Sequence, residues 1–254
     1  MREDYTRINA QTWDKWAENG CEWSQPIAHE EYEKAKKGEW GVYLTPCKTV
    51  PKEWFLALKG KALLGLASGG GQQMPVFSAL GAECTVFDYS DAQLERERMV
   101  AKREGYRIEI VKGDMTKRLP FEDACFDIIF HPVSNCYVED VHHVWRECYR
   151  VLKRGGVLLA GFDNGLNFLF DDDGTKPLVA VNPLPFNPLK ASQKDYDRMV
   201  KNQEGVQFSH TMEEQLGGQL QAGFCLTDLY EDWDRSGIIR EYAPQYMATR
   251  AVKR

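Results

Sequence analysis

The chain has 254 residues, 43% hydrophobic and 28% charged, an ordinary globular composition that excludes disorder throughout and provides for one large α/β domain. The formal net charge of -6 gives no electrostatic footprint for a polyanion, so nucleic acid is not expected as a partner. The seven dispersed cysteines contain no Cys-x-x-Cys pair, so no metal site is expected, and a polar start without any run of 18 apolar residues leads us to expect a cytoplasmic protein that carries reduced thiols and does not enter the membrane.

Tyr5, Ile8, Trp13 and Trp16 recur at helical spacing, which predicts a short amphipathic helix to Glu18, closed by a turn at Asn19-Gly20. Five of the seven tryptophans (Trp13, Trp16, Trp23, Trp40 and Trp54) precede residue 60, either as packing anchors or as the wall of a pocket. A charged helix is expected from Glu30 to Lys37, an irregular stretch from Gly38 to Pro51, and a further helix from Glu53 to Leu58. We treat residues 1–58 as an N-terminal cap and residues 59–254 as the main domain.

The apolar run that begins at Ala62 breaks into Ser68-Gly69-Gly70-Gly71-Gln72-Gln73. This reads as a buried strand turning sharply beneath a ligand that approaches its backbone. A helix follows from Met74 to Leu80, stopped by Gly81. Cys84 to Phe87 is a second strand ending at Asp88. Ser90-Asp91-Ala92-Gln93 has the form of a capping box and opens a helix to Glu104, with Gly105 as its stop.

Ile108 to Val111 is a third strand leading to Gly113-Asp114, and Phe126 to Phe130 is a fourth, followed by a polar loop from His131 to Asp140. Val141 to Leu152 is helical, ended by Gly155-Gly156, and Val157 to Phe162 is the fifth strand. Alternating strands and helices with short joints predict a doubly wound, Rossmann-like α/β sheet, with ligands at the carboxyl ends of the strands. From Asp163 to Phe208 the rhythm breaks, with an acidic turn Asp171-Asp172-Asp173-Gly174, a proline-spaced run Asn182 to Pro188, and a polar helix. Residues 165–208 are an insertion that either covers a substrate or lies on the surface. A helix from Thr211 to Gln221 and strands at Leu226 to Trp233 and Tyr246 to Val252 complete the chain.

Three successive strand ends carry the glycine turn, Asp88 and Asp114. A carboxylate at Asp88 can accept from both hydroxyls of a ribose, while glycines let backbone N–H groups meet the ligand. Asp114 would face an adenine amino group, with Tyr89 and Met115 on the ring faces. A dinucleotide fits less well, because Met74 stands where the third glycine of that fingerprint belongs.

Leu63 to Gly71, Val86 to Ser90, Gly113-Asp114-Met115, Leu119 to Asp127, Val151 to Gly156 and Ala222-Gly223-Phe224 together resemble the class I S-adenosylmethionine-dependent methyltransferases. The resemblance implies a seven-stranded sheet, six strands parallel and the last antiparallel between its neighbours. It implies S-adenosylmethionine as cofactor and S-adenosylhomocysteine as product. Gly69 and Gly71 would border the methionine moiety, Asp88 the ribose, and Asp114 with Met115 the adenine. Ala67, Ser68, Gln72, Gln73 and Tyr89 join them as candidate cofactor-binding residues, with Ser68, Gln72 or Gln73 standing in for the family's acid near the methionine amino group. Two positions depart from the pattern: Gly65 stands where the family has an acid, and Ala67 where it has a glycine.

Family members place substrate contacts after strand four, which makes His131, Asn135 and Tyr137 the candidate catalytic residues. His131 can be a base, a cofactor contact or a structural histidine. Methyl transfer from a sulfonium is an in-line displacement, so positioning does most of the catalysis. Neither the Pro-Cys pair of cytosine-C5 methyltransferases nor the [DN]PP[YF] signature of nucleic-acid amino-methyltransferases is present, which points to a small-molecule acceptor. The other readings are an RNA or protein methyltransferase, and a non-catalytic binder of adenosylmethionine.

Overall fold

Ala62-Leu63-Leu64-Gly65-Leu66 has no polar side chain, and it forms the centre of the molecule because both of its faces are covered. In the computed structural model, which describes residues 4–172, 174 and 177–254, the order is α1 (Tyr5–Glu18), α2 (His29–Lys36), β1 (Ala62–Leu66), α3 (Gln73–Ala79), β2 (Glu83–Asp88), α4 (Asp91–Glu104), β3 (Glu109–Lys112) and β4 (Phe126–His131). Then come α5 (Val141–Val151), β5 (Leu152–Asp163), α6 (Leu166–Leu169), β6 (Phe170–Asp171), β7 (Val179–Ala180), α7 (Gln193–Lys201), α8 (Gly218–Ala222), β8 (Phe224–Asp232) and β9 (Tyr246–Lys253).

Seven strands form one sheet in the order β3-β2-β1-β4-β5-β9-β8, with β9 antiparallel between β5 and β8 and the remaining six parallel. This is the Rossmann-like α/β fold that the strand and helix alternation predicts. Side chains alternate across β1: Leu63 packs with Met74, Phe77, Val86 and Phe130 on one face, and Leu64 and Leu66 with Phe87, Ile129 and Trp145 on the other. Burial on both faces is why the strands read as continuous apolar runs.

The N-terminal segment lies across the carboxyl ends of the strands. Asp14 on α1 accepts from Ser90 Oγ at 2.6 Å and from the Ala92 N–H at 3.0 Å, helping Ser90 to cap α4. Asn9 makes a two-bond clamp with Val206, accepting from its N–H at 2.6 Å and donating to its carbonyl at 2.9 Å. Tyr5, Tyr196, Val206 and Phe208 form a small core of their own, so the N-terminal arm and the insertion meet above the sheet.

Three expectations change in detail. Glu53 to Leu58 is not helical; only a 3-10 turn at Lys52–Trp54 forms. Tertiary packing decides this, since Trp54 is buried in the core and its indole N–H donates to Asp228 at 2.9 Å. The helix before Gly155-Gly156 ends at Val151, with Leu152 already extended. Gly155, at φ +75, lies within β5, and Gly156 lacks room for a side chain against the Asp127 carbonyl. The Thr211 to Gln221 helix opens as a π turn over Glu213–Gly217, letting Gly218 pack on Trp145 while the Trp145 indole donates to the Glu214 carbonyl at 3.1 Å. In the acidic turn, Asp173 lies outside the described residues; Asp172 accepts from the Ile238 N–H at 2.7 Å.

Candidate active site

The strand order puts the ends of β1, β2 and β3 side by side, and the Gly-rich turn, Asp88 and Asp114 with them. A cavity of about 1740 Å3 runs along these ends, and Ala67, Ser68, Gly69, Gln72, Gln73, Asp88, Tyr89, Asp114 and Met115 all line it. Asp88 Oδ2 accepts the Gly69 N–H at 3.0 Å and Oδ1 accepts the Ser90 N–H at 3.0 Å. Burial raises its pKa, and these backbone donors act against the rise. Asp114 is held from one side, its Oδ1 accepting from the Thr116 N–H at 2.8 Å and Oγ at 2.7 Å.

The turn itself is pinned from outside. Gln72 donates to the carbonyls of Glu22 and Gln25 at 3.0 and 2.9 Å, and the Ile27 N–H donates to the Gly71 carbonyl at 3.0 Å. Ser68 donates to Gln73 at 3.2 Å. Ala67 has φ +49, a left-handed conformation that costs a non-glycine residue about 1–2 kcal/mol. Gly71 does not line the cleft. It turns toward α4, where its N–H donates to Glu97 Oε2 at 2.9 Å and where a Cβ would sit 2.7 Å from Val100.

The three catalytic candidates separate. Tyr137 lines the cleft, edge-to-face with Trp13 at 5.7 Å, and burial holds its hydroxyl protonated. His131 and Asn135 do not reach the cleft, which corrects the expectation for both. Each is fully buried. His131 Nδ1 lies 2.9 Å from the Leu66 carbonyl and Nε2 lies 2.8 Å from the Asn135 amide, which is 2.9 Å from that of Gln215. Burial lowers the imidazole pKa, so the ring stays neutral and ties β1, the turn after β4 and the segment before α8 together. The alternation of β4 decides this: His131 pairs with Ala160 of β5 inside the sheet.

Sequence reasoning offered Trp23 as pocket wall and residues 165–208 as a cover in general terms, but did not single out Thr45, Pro46, Phe168, Phe186 or Arg235. Thr45 and Pro46, Phe168 and Phe186, and Arg235 with Trp23 all border the cavity; only the chain's path through space brings them there. Arg235 stacks on Trp23 at 4.4 Å and donates to Glu22 at 2.6 Å. Asp163, at the carboxyl end of β5, also lines the cleft. It carries the signal used for Asp88, an acid ending a buried strand. Among the described residues no group of three or more His, Cys, Asp or Glu is placed to hold a metal ion, and no helix is long and apolar enough to cross a membrane.

A family model described as a methyltransferase domain matches residues 64–160. The uncharacterized methyltransferase YbaJ of Bacillus subtilis is 44% identical over 249 residues, covering 96% of this chain and 97% of that protein. The chain belongs to the class I S-adenosylmethionine-dependent methyltransferases. The methyltransferase fold is shared with an S-adenosylmethionine-dependent methyltransferase of Mesorhizobium loti, with a TM-score of 0.61 at 19% identity over 79% of this chain and 94% of that one. It is also shared with geranyl diphosphate C-methyltransferase of Streptomyces coelicolor, solved with S-adenosyl-L-homocysteine, with a TM-score of 0.53 at 16% identity over 77% and 74%. In this methyltransferase the family's acidic position in β1 is Gly65, and Met74 occupies its space, with Sδ 2.6 Å from where a Cβ would stand.

Proposed function

We propose that this methyltransferase binds S-adenosylmethionine along the ends of β1, β2 and β3 and methylates a small molecule held between the N-terminal arm and the insertion. One observation carries the reading: the same cavity is lined by Asp88 and Asp114 from the strand ends and by Trp13, Phe168 and Phe186 from the N-terminal arm and the insertion. Sites for one small ligand run to about 300–1,000 Å3, so a cavity of about 1740 Å3 has room for two.

The residues fit the cofactor. A Cβ on Gly69 would come within 3.0 Å of Asp88 Oδ2, so only glycine leaves the turn and the carboxylate in contact while the carboxylate keeps lone pairs for ribose hydroxyls. Thr116 engages Asp114 Oδ1, which leaves the other oxygen for an adenine amino group. Tyr89 and Met115 flank it, and Ala67 to Gly69 with Gln73 border the methionine end. When bound, adenosylmethionine supplies a methyl group on a positively charged sulfur, and the C–S electron pair stays on sulfur as the methyl leaves. The chain's part is to hold the acceptor in line and exclude water; Tyr137, kept protonated, serves as a donor in that wall.

The net negative charge and acid-lined cleft support a small acceptor over RNA, whose phosphates need Lys and Arg. Calorimetry and thermal melting with S-adenosylhomocysteine test the reading. Ligand at about 100 times its Kd adds roughly 2.7 kcal/mol of stability, and Asp88→Ala is expected to weaken binding at least about tenfold. An unchanged melting temperature with both adenosylmethionine and adenosylhomocysteine rejects it.

A further inference from the structure

Asp163 ends β5, lines the cleft and is only 3% exposed. Its Oδ1 accepts the Gly165 N–H at 2.9 Å, while Oδ2 is closed off from solvent with no hydrogen-bond partner among the described residues. No other carboxylate oxygen among the described residues is placed this way. A buried carboxylate oxygen left unpaired is costly, so a protein that keeps one has a use for it.

The groups around it do not meet the need. Tyr246, its partner across the β5–β9 ladder, donates its hydroxyl proton to Asp234 at 2.9 Å and accepts from Asn167 at 3.0 Å. Cys136 and Tyr137, from the turn after β4, line the same cleft, and burial keeps both neutral. Among the described residues, the favourable partners of the carboxylate are backbone N–H groups, and no cation acts on it.

We propose that Asp163 is the anchor and proton acceptor for an amine, so that the methyl acceptor is a small amine whose nitrogen donates to Asp163 Oδ2. This rests on the reading of the cleft as a methyl-transfer site. Two further observations select an amine over an acid. Among the described residues, ten acidic side chains line the cavity against three basic ones, and a cleft lined by one sign of charge concentrates ligands of the other. Of the three, Arg235 is held by Glu22 and the Pro46 carbonyl and Arg198 pairs with Asp195 at 3.5 Å, which leaves little to receive a carboxylate or phosphate. Trp13, Tyr137, Phe168 and Phe186 supply ring faces for a cation.

In the transfer, the docked ammonium gives one proton to Asp163 Oδ2 and regains its lone pair. That pair forms the new N–CH3 bond as the C–S bond breaks, with the C–S electrons remaining on sulfur. The proton leaves Asp163 for water when the product departs. Burial lifts the Asp163 carboxyl to about 6, closer to the range of an amine than an exposed carboxylate is, which makes it the better base.

The test uses the full chain saturated with S-adenosylhomocysteine and three probes of one shape: phenethylamine, 2-phenylethanol and 3-phenylpropionate. Calorimetry is expected to show the amine binding tightest. Asp163→Asn is expected to weaken the amine at least about tenfold while adenosylhomocysteine affinity stays within about twofold. The variant keeps an acceptor for Gly165 and removes an unpaired charge, so at pH 8 it is expected to melt at or above the parent temperature. Amine affinity equal in parent and variant, tighter binding of the carboxylate, no amine binding, or a variant that melts well below the parent overturns the proposal. Failure of adenosylhomocysteine to bind the parent protein rejects instead the methyl-transfer reading on which it rests.

Discussion

Met74 fills the space that a side chain on Gly65 would need: a Cβ there would lie 2.6 Å from the Met74 sulfur, and both residues are fully buried. The family's usual acid at this position is therefore not simply missing; α3 has packed into its place. Gly65→Ala is expected to destabilise the protein by about 1–3 kcal/mol through overpacking. The loss should shrink in a Met74→Ala background, because the two substitutions share one volume. Urea denaturation of the four chains of this cycle measures the coupling, and additive losses would show that the methionine yields freely.

Glu97 lies directly under the glycine turn. It is fully buried, accepts the Gly71 N–H at 2.9 Å and the Tyr106 hydroxyl at 3.1 Å, and burial pushes its carboxyl up to about 7. Because the folded pKa exceeds the unfolded one, the folded state binds the proton more tightly. Stability therefore falls as pH rises from about 4.5 to about 7, and the full penalty, on the order of 3 kcal/mol, is present above that window. Glu97→Gln keeps an acceptor for Gly71 and removes the titration. Its melting temperature is expected to exceed that of the parent at pH 8 and to match it near pH 4.5. A parallel pair of pH–stability curves would contradict this.

His131 and Asn135 act as a buried tie, and this sets them apart from catalytic groups. Asn135→Ala leaves His131 Nε2 and the Gln215 side chain without their partner, at a cost of about 1–3 kcal/mol. Chemical denaturation is expected to show that loss, while adenosylhomocysteine affinity in the folded protein is unchanged within about twofold. Normal stability with abolished turnover would return these residues to the catalytic list.

The alternation of apolar runs with helical periods was enough to predict a doubly wound parallel sheet, because period and burial are local properties of the chain; the antiparallel last strand was implied by the family resemblance. The acids at the ends of β2 and β3 were legible for the same reason: a strand end is visible in sequence, and the sheet order makes strand ends neighbours. Side-chain direction at a strand terminus was not legible. His131 and Asp163 both end buried strands, yet the imidazole is enclosed by Leu66 and Asn135 while Asp163 borders the cleft.

By itself, then, the sequence determined a doubly wound sheet, the glycine turn and the two carboxylates at its flank, since each follows from local spacing, while the methyltransferase fold was implied by the resemblance of its motifs to that family. Only the tertiary structure decided what stands opposite them. The clamp between Asn9 and Val206 joins residues 197 positions apart, and no local pattern encodes a contact that must offset the entropy lost in closing so long a loop. That closure brings the N-terminal arm over the insertion and makes a cavity out of a row of strand ends. It also sets Asp163, whose Oδ2 has no partner among the described residues, in the wall of that cavity.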